Sequence, residues 1–187
     1  MVKVLIVDNY DSFTFNLYHY VMQFNCDVAV IKNDQVDLNV IRDFDKIILS
    51  PGPGLPNEHK NLMAIIKIAI NKPLLGVCLG HQAIAEYFGA SLINLDNVNH
   101  GISTEISIIK DDCIFNDINK KTNVGLYHSW VIDRNNFPNC LDITSVSKKG
   151  FISSFCHKEL DVRGVQFHPE SILTESGLKM IENWIRN

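Results

Sequence analysis

Val2-Lys-Val-Leu-Ile-Val-Asp-Asn9 opens the chain with apolar, largely β-branched residues and closes on an acid and an amide. A short run of this kind reads as a strand buried on both faces that feeds a turn, and such strands belong to parallel sheets. Asp11 or Ser12 is placed to cap a helix in which Phe13, Leu17, Tyr20, Val21 and Phe24 share one apolar face. The chain therefore starts strand, turn, helix.

Working outward, the alternation continues. Val28–Ile31 and Ile47–Leu49 read as strands, and Leu62–Ile70 as a helix that Pro73 stops from continuing. Leu74–Val77 reads as a strand, Gln82–Phe88 as a helix ending at Gly89, and Ser91–Leu95 as a strand after it. Beyond Asn97 the helices drop out: Glu105–Ile109, Asn123–Tyr127, Asp142–Val146, Phe151–Cys156 and Gly164–Phe167 read as strands joined by turns. Thr174 is placed to cap a last helix carrying Leu178, Ile181, Trp184 and Ile185 on one face. The expected fold is α/β: an open, mostly parallel, flavodoxin-like central sheet with helices on both faces, and a second half that is strand-rich and partly antiparallel. No repeat, low-complexity tract or linker divides the 187 residues, so one domain over residues 1–187 is expected.

Composition removes several classes of function. With 46% hydrophobic and 20% charged residues the chain is neither disordered nor charge-extended. Seventeen basic and 21 acidic side chains leave a net charge of −4, which gives no bulk attraction to phosphate backbones or anionic lipid. No nucleic-acid or membrane partner is therefore expected. An acid arrives at Asp8, too early for a signal-peptide core, and no apolar run approaches ~18 residues, so a cytoplasmic protein is expected. Five cysteines (Cys26, Cys78, Cys113, Cys140 and Cys156), none in a C-x-x-C pair, argue against a disulfide framework or a thiolate zinc site. The seven histidines show no metal-ligand spacing, and no metal is expected.

Three local patterns carry chemistry. Gly76-Val-Cys-Leu-Gly-His-Gln82 follows a buried strand and enters a helix, the layout of a nucleophile elbow with cysteine as nucleophile. Gly76 and Gly80 leave room for the tight backbone, and the helix N-terminus favours a thiolate at Cys78. The other cysteines lack such a frame and read as structural. A thiol nucleophile needs a base, and Gln166-Phe-His-Pro-Glu170 supplies one at the end of a late strand, with Glu170 placed to orient His168. Ser50-Pro-Gly-Pro-Gly54 follows the strand ending at Leu49; alone it is an ordinary connecting turn, but beside the elbow its Gly54 N–H can join that of Leu79 as an oxyanion hole.

Together these elements resemble the class I, or triad, glutamine amidotransferases, whose hallmark is a G-x-C-x-G elbow paired with a distant H-P-E. Ile6-Val-Asp-Asn-Tyr-Asp-Ser-Phe-Thr-Phe-Asn-Leu17, the Leu49–Gly54 loop and Phe167-His-Pro-Glu-Ser-Ile-Leu-Thr-Glu175 narrow the resemblance to component II of anthranilate synthase or aminodeoxychorismate synthase, across the whole chain. The resemblance implies Cys78 as nucleophile, His168 as base and then acid, and Glu170 as orienting carboxylate. It implies oxyanion donors at Gly54 and Leu79, and glutamine binding by Gly52, Pro53, Gly54, Gln82, Ser129 and Trp130. It further implies a synthase component I that aminates chorismate with the released ammonia, with Mg²⁺ in that partner and no cofactor in this chain. Two positions depart from the family pattern: His128-Ser-Trp130 stands where H-S-L is usual, and His100-Gly-Ile-Ser-Thr104 where H-G-K-T-S is usual. The alternative readings are a stand-alone Cys-His-Glu γ-glutamyl hydrolase or a non-catalytic regulatory subunit.

Overall fold

Along the first strand (β1, Val2–Asp8), Val4 and Ile6 face one side of the sheet and Leu5 and Val7 the other, and all four are fully buried. This double burial organises the computed structural model, which describes residues 1–187. The chain continues through α1 (Thr14–Met22), β2 (Cys26–Lys32), β3 (Lys46–Leu49), α2 (Leu62–Ala69), β4 (Leu74–Val77) and α3 (Leu79–Tyr87). It then runs through β5 (Leu92–Ile108), β6 (Lys121–Ile132), β7 (Leu141–Ser147), β8 (Ile152–His157), β9 (Val162–Val165) and α4 (Gly177–Arg186). The nine strands form one sheet in the order β2-β1-β3-β4-β9-β8-β7-β5-β6. The neighbours from β2 to β9 pair in parallel, and those from β9 to β6 are antiparallel.

Helices cover both faces. On one side α1 and α4 bury Leu17, Val21, Ile181 and Trp184 against Val4, Ile6 and Val77; on the other α2 and α3 bury Ile65, Ile66, Ala83 and Ile84 against Leu5, Val7 and Leu49. Burying one such side chain contributes roughly 1.5–3 kcal/mol before entropy is counted, so each helix is held by its apolar stripe rather than by propensity. The expected mixed α/β architecture is the one observed.

Several boundaries differ from the sequence reading. Neither Asp11 nor Ser12 caps α1: Asp11 takes the Phe13 N–H at 2.8 Å, and Asp8 takes the Tyr10 N–H at 2.9 Å and the Thr14 hydroxyl at 2.8 Å. These carboxylates shape the β1–α1 turn instead. Helix α3 starts at Leu79 rather than Gln82, directly after Cys78. Ser91–Leu95 and Glu105–Ile109, read as separate strands, belong to the single strand β5, whose pairing with β6 shifts register between Asn94 and Asn99 and again between His100 and Ile102. The joining stretch Asp96–His100 is polar and mostly exposed, so it carries no apolar signal of a strand. Thr174 does not cap α4. Its hydroxyl donates to the His168 carbonyl at 2.6 Å and accepts the Gly125 N–H at 3.0 Å, and Leu178 is partly exposed while Met180 is buried.

Candidate active site

Strands β3, β4 and β9 are adjacent in the parallel half, so their carboxyl ends bring Ser50–Gly54, Cys78 and Gln166–Glu170 to one edge of the sheet. Cys78 adopts φ 51°, ψ −99°, a conformation that costs a non-glycine residue on the order of 1–3 kcal/mol. Its N–H donates to the Val165 carbonyl at 2.8 Å and its carbonyl accepts the Gln82 N–H at 3.1 Å, so β9 and α3 hold the strained residue from both sides. The flanking glycines are required by close approach. A Cβ on Gly76 would sit 2.6 Å from His81 N, and one on Gly80 2.7 Å from Leu49 Cβ. The sulfur lies at the N-terminus of α3, where backbone N–H groups and the helix dipole favour negative charge.

His168 is buried beside it, and its Nδ1 lies 2.7 Å from Glu170 Oε1. The backbone that carries this pair is stapled to β6: the His168 N–H donates to the Gly125 carbonyl at 3.1 Å, and Thr174 ties the turn as described above. Tyr127 and Phe13 pack against the imidazole edge-on, with ring centroids 4.8 and 5.4 Å away. Burial alone would disfavour the imidazolium, but Cys78 and Glu170 together outweigh it and hold the His168 pKa well above its ordinary value. His128 experiences the opposite: burial, with the charge of His168 added, pushes it down to about 4 despite the Trp130 backbone, so it stays neutral near pH 7.

In front of Cys78 lies a cleft of about 190 Å³ lined by Gly52, Pro53, Gly54, Leu79, Gln82, Tyr127, His128, Ser129 and Trp130. Every residue proposed from the sequence for oxyanion or glutamine binding therefore faces the nucleophile. His168 and Glu170 stand outside this lining. Gln82 donates its NH₂ to the Trp130 carbonyl at 2.9 Å and to Gln166 Oε1 at 3.2 Å. Trp130 thus contributes a backbone carbonyl. The Gly54 and Leu79 N–H groups make no backbone hydrogen bond, and Gly54 holds φ +69°, which a residue with a side chain rarely adopts. No group of three or more His, Cys, Asp or Glu side chains is arranged to hold a metal ion.

The sequence reading missed residues that shape the site. Gln166 Nε2 lies 3.6 Å from Cys78 Sγ, and Gln166 lines a second cavity of about 220 Å³ that shares His128 with the cleft. Strand periodicity could have found it, because residues two apart share a face and Gln166 precedes His168 by two. The roles of Tyr127, Phe13 and His128 had no such signal.

Fold and site together define an α/β protein with a cysteine nucleophile elbow at a strand–helix junction, backed by a His–Glu pair. The family model for glutamine amidotransferase class-I matches residues 5–187. The chain is 42% identical to aminodeoxychorismate synthase component 2 of Klebsiella aerogenes (97% of this chain, 98% of the relative) and 41% identical to anthranilate synthase component 2 of Pseudomonas aeruginosa (98% and 94%). It is 37% identical to the aminodeoxychorismate/anthranilate synthase component 2 of Bacillus subtilis (97% and 95%). A solved Thermoplasma acidophilum structure assigned to GMP synthase superposes with a TM-score of 0.90 at 27% identity, covering 100% of this chain and 93% of that one. The chain belongs to the class-I glutamine amidotransferases.

Proposed function

We propose that this chain is the cytoplasmic glutaminase subunit of a chorismate-aminating synthase, releasing ammonia from glutamine for a component I partner. The observation that carries this reading is the strained Cys78 elbow, with the His168–Glu170 pair behind it and the Gly52–Gly54, Gln82 and Ser129–Trp130 cleft in front. Relatives named component 2 of anthranilate and aminodeoxychorismate synthases support the choice of partner. No helix is long and apolar enough to cross a membrane.

In the proposed reaction the Cys78 sulfur attacks the side-chain carbonyl carbon of glutamine, and the N–H groups of Gly54 and Leu79 receive the charge that develops on oxygen. The C–N bond then breaks as His168 gives its proton to the leaving nitrogen, and ammonia departs. The elevated pKa of His168 suits this step, because the imidazolium is present when the donor is needed. Water, deprotonated by the same imidazole, next attacks the γ-glutamyl thioester. Glutamate leaves, and the sulfur regains its starting state opposite a protonated His168. Glu170 keeps one tautomer and stabilises the cation throughout. This chain needs no cofactor for these steps; Mg²⁺ belongs to the partner's chemistry.

The test mixes the protein with glutamine, chorismate, Mg²⁺ and each candidate component I in turn, following anthranilate and aminodeoxychorismate separately. Glutamine-dependent product that disappears in Cys78→Ala, while ammonia-dependent product remains, is the expected result. Product with one partner assigns the pathway, and product with both makes this chain common to the two synthases. No glutamine-dependent product with partners that do use ammonia contradicts the proposal.

A further inference from the structure

Three side chains outside the reacting set form a hydrogen-bonded arc that begins and ends on the Ser50–Gly54 loop. Asn9 Nδ2 donates to the Ser50 carbonyl at 2.8 Å. Asn33 Nδ2 donates to Asn9 Oδ1 at 3.0 Å and lies 2.8 Å from His59 Nδ1. His59 Nε2, on the far side of the ring, lies 2.9 Å from the Pro53 carbonyl oxygen. Asn9 and Asn33 are buried, and the Asn9 N–H adds a 2.8 Å bond to Ser50 Oγ.

The two ends force the polarity of the arc. A carbonyl oxygen only accepts, so Asn9 gives its NH₂ to Ser50 and turns its oxygen to Asn33. Asn33 must answer with its own NH₂, whose second hydrogen meets His59 Nδ1. That nitrogen is therefore an acceptor, and Nε2–H donates to Pro53. A single neutral tautomer of His59 satisfies both neighbours.

The Pro53 carbonyl and the Gly54 N–H belong to one peptide, and in a trans peptide they point in opposite directions. His59 stands outside the cleft, while Gly54 lines it together with Cys78. Anchoring the carbonyl on His59 thus turns the Gly54 N–H toward the nucleophile. The Leu55 N–H, held by the Glu58 carboxylate at 2.9 Å, secures the loop's exit but leaves this peptide free to rotate. At a glycine such rotation meets little steric resistance.

We infer that His59 is a positioning residue for the amidase reaction, holding the Pro53–Gly54 peptide in the orientation that presents the Gly54 N–H to the developing oxyanion. The inference rests on the glutaminase reading above and adds to it a residue that touches neither substrate nor sulfur.

The test compares the wild type, His59→Leu and His59→Gln, each as the full chain with its synthase partner. Glutamine can accept from Asn33 and donate to Pro53; leucine can do neither. His59→Leu should lower kcat about 10-fold, less than the roughly 10²–10³ lost with an oxyanion donor itself, with KM for glutamine changed by no more than about twofold. An aldehyde analogue of glutamine adds the Cys78 S–H across its C=O and places the new hydroxyl oxygen in the same hole, so its affinity should weaken by the same factor. His59→Gln should recover most of both losses. Unchanged kcat and unchanged aldehyde affinity in His59→Leu, a loss confined to KM, or equal losses in the two variants overturns the inference. If the wild type releases no ammonia from glutamine with any partner, the glutaminase reading fails, and the role of His59 falls with it.

Discussion

The parallel half of the sheet, β2-β1-β3-β4-β9, and the antiparallel half, β8-β7-β5-β6, divide the work of the site between them. In the parallel half every strand leaves the sheet on the same edge, so neighbouring strands deliver the Ser50–Gly54 loop, Cys78 and His168 to one place. The antiparallel half supplies the opposing wall through β6, with Tyr127, His128, Ser129 and Trp130. Its residues enter largely as backbone and shape: Gly125 accepts from His168, and the Trp130 carbonyl accepts from Gln82. The lesson is that parallel strand ends concentrate reactive groups, whereas a bent antiparallel ribbon closes a cleft around them.

Substitutions can break or sharpen this division. The largest effect should come from Glu170→Gln, which removes the carboxylate that raises the His168 pKa. Loss of an orienting carboxylate in a catalytic triad costs up to about 10⁴ in kcat, and a decrease of roughly 10²–10⁴ is expected here, with the His168 titration moving to lower pH in an NMR or pH–rate profile. Next, adding one methyl group to the elbow should destabilise the parallel half far more than the same change in the antiparallel half. Gly80→Ala drives a Cβ into Leu49, an overpacking worth about 1–3 kcal/mol or more in denaturant melts. Gly101→Ala has only Tyr127 Cε1 within reach, at 3.8 Å, and should cost no more than the ~1 kcal/mol of its positive φ.

The seam between the halves should also respond to acid. His81, on α3, stacks on Phe155 of β8 with a centroid separation of 4.8 Å. Burial pushes it down to about 3, offset only in part by the Gly164 backbone, and its ring nitrogens have no hydrogen-bond partner. The unfolded chain binds a proton near pH 6.5 that the folded one refuses, so stability is full above that pH and falls as pH drops through the window toward about 3. Melting temperatures between pH 7 and pH 4 should show a shallower decline for His81→Leu than for wild type. The smallest effect is expected from Trp130→Leu. Because its contact with Gln82 is through the backbone, glutaminase kcat should stay within about twofold, and any change should appear in KM or in coupling to the partner.

The same contrast explains what could be read without coordinates. In the parallel half each strand is a short apolar run bounded by turn residues, and Val2–Val7, Ile47–Leu49 and Leu74–Val77 fall within a residue of the observed strands. In the antiparallel half one long strand looked like two, because its exposed Asp96–His100 segment is held by pairing with β6 rather than by apolar burial. Helix starts were misplaced where polar side chains had tertiary partners: Thr174 serves His168, and Asp11 serves a turn. At the site, glycine spacing marked Cys78 and the loop facing it, and the structure brings Gln82, Ser129 and Trp130 to the same cleft. Gln166 against the sulfur, and the arc from Asn9 through Asn33 to His59, join residues far apart in sequence with no spacing rule to announce them.

The central claim is that Cys78 alone, of five free cysteines, is the nucleophile. It is tested most directly by treating the protein, with its synthase partner present, with a diazoketone analogue of glutamine and mapping the adduct by peptide mass spectrometry. The account predicts a single adduct on Cys78, blocked by excess glutamine and slowed in His168→Ala, with Cys26, Cys113, Cys140 and Cys156 unmodified. An adduct on another cysteine, or labelling of Cys78 that is indifferent to both glutamine and His168, would contradict it.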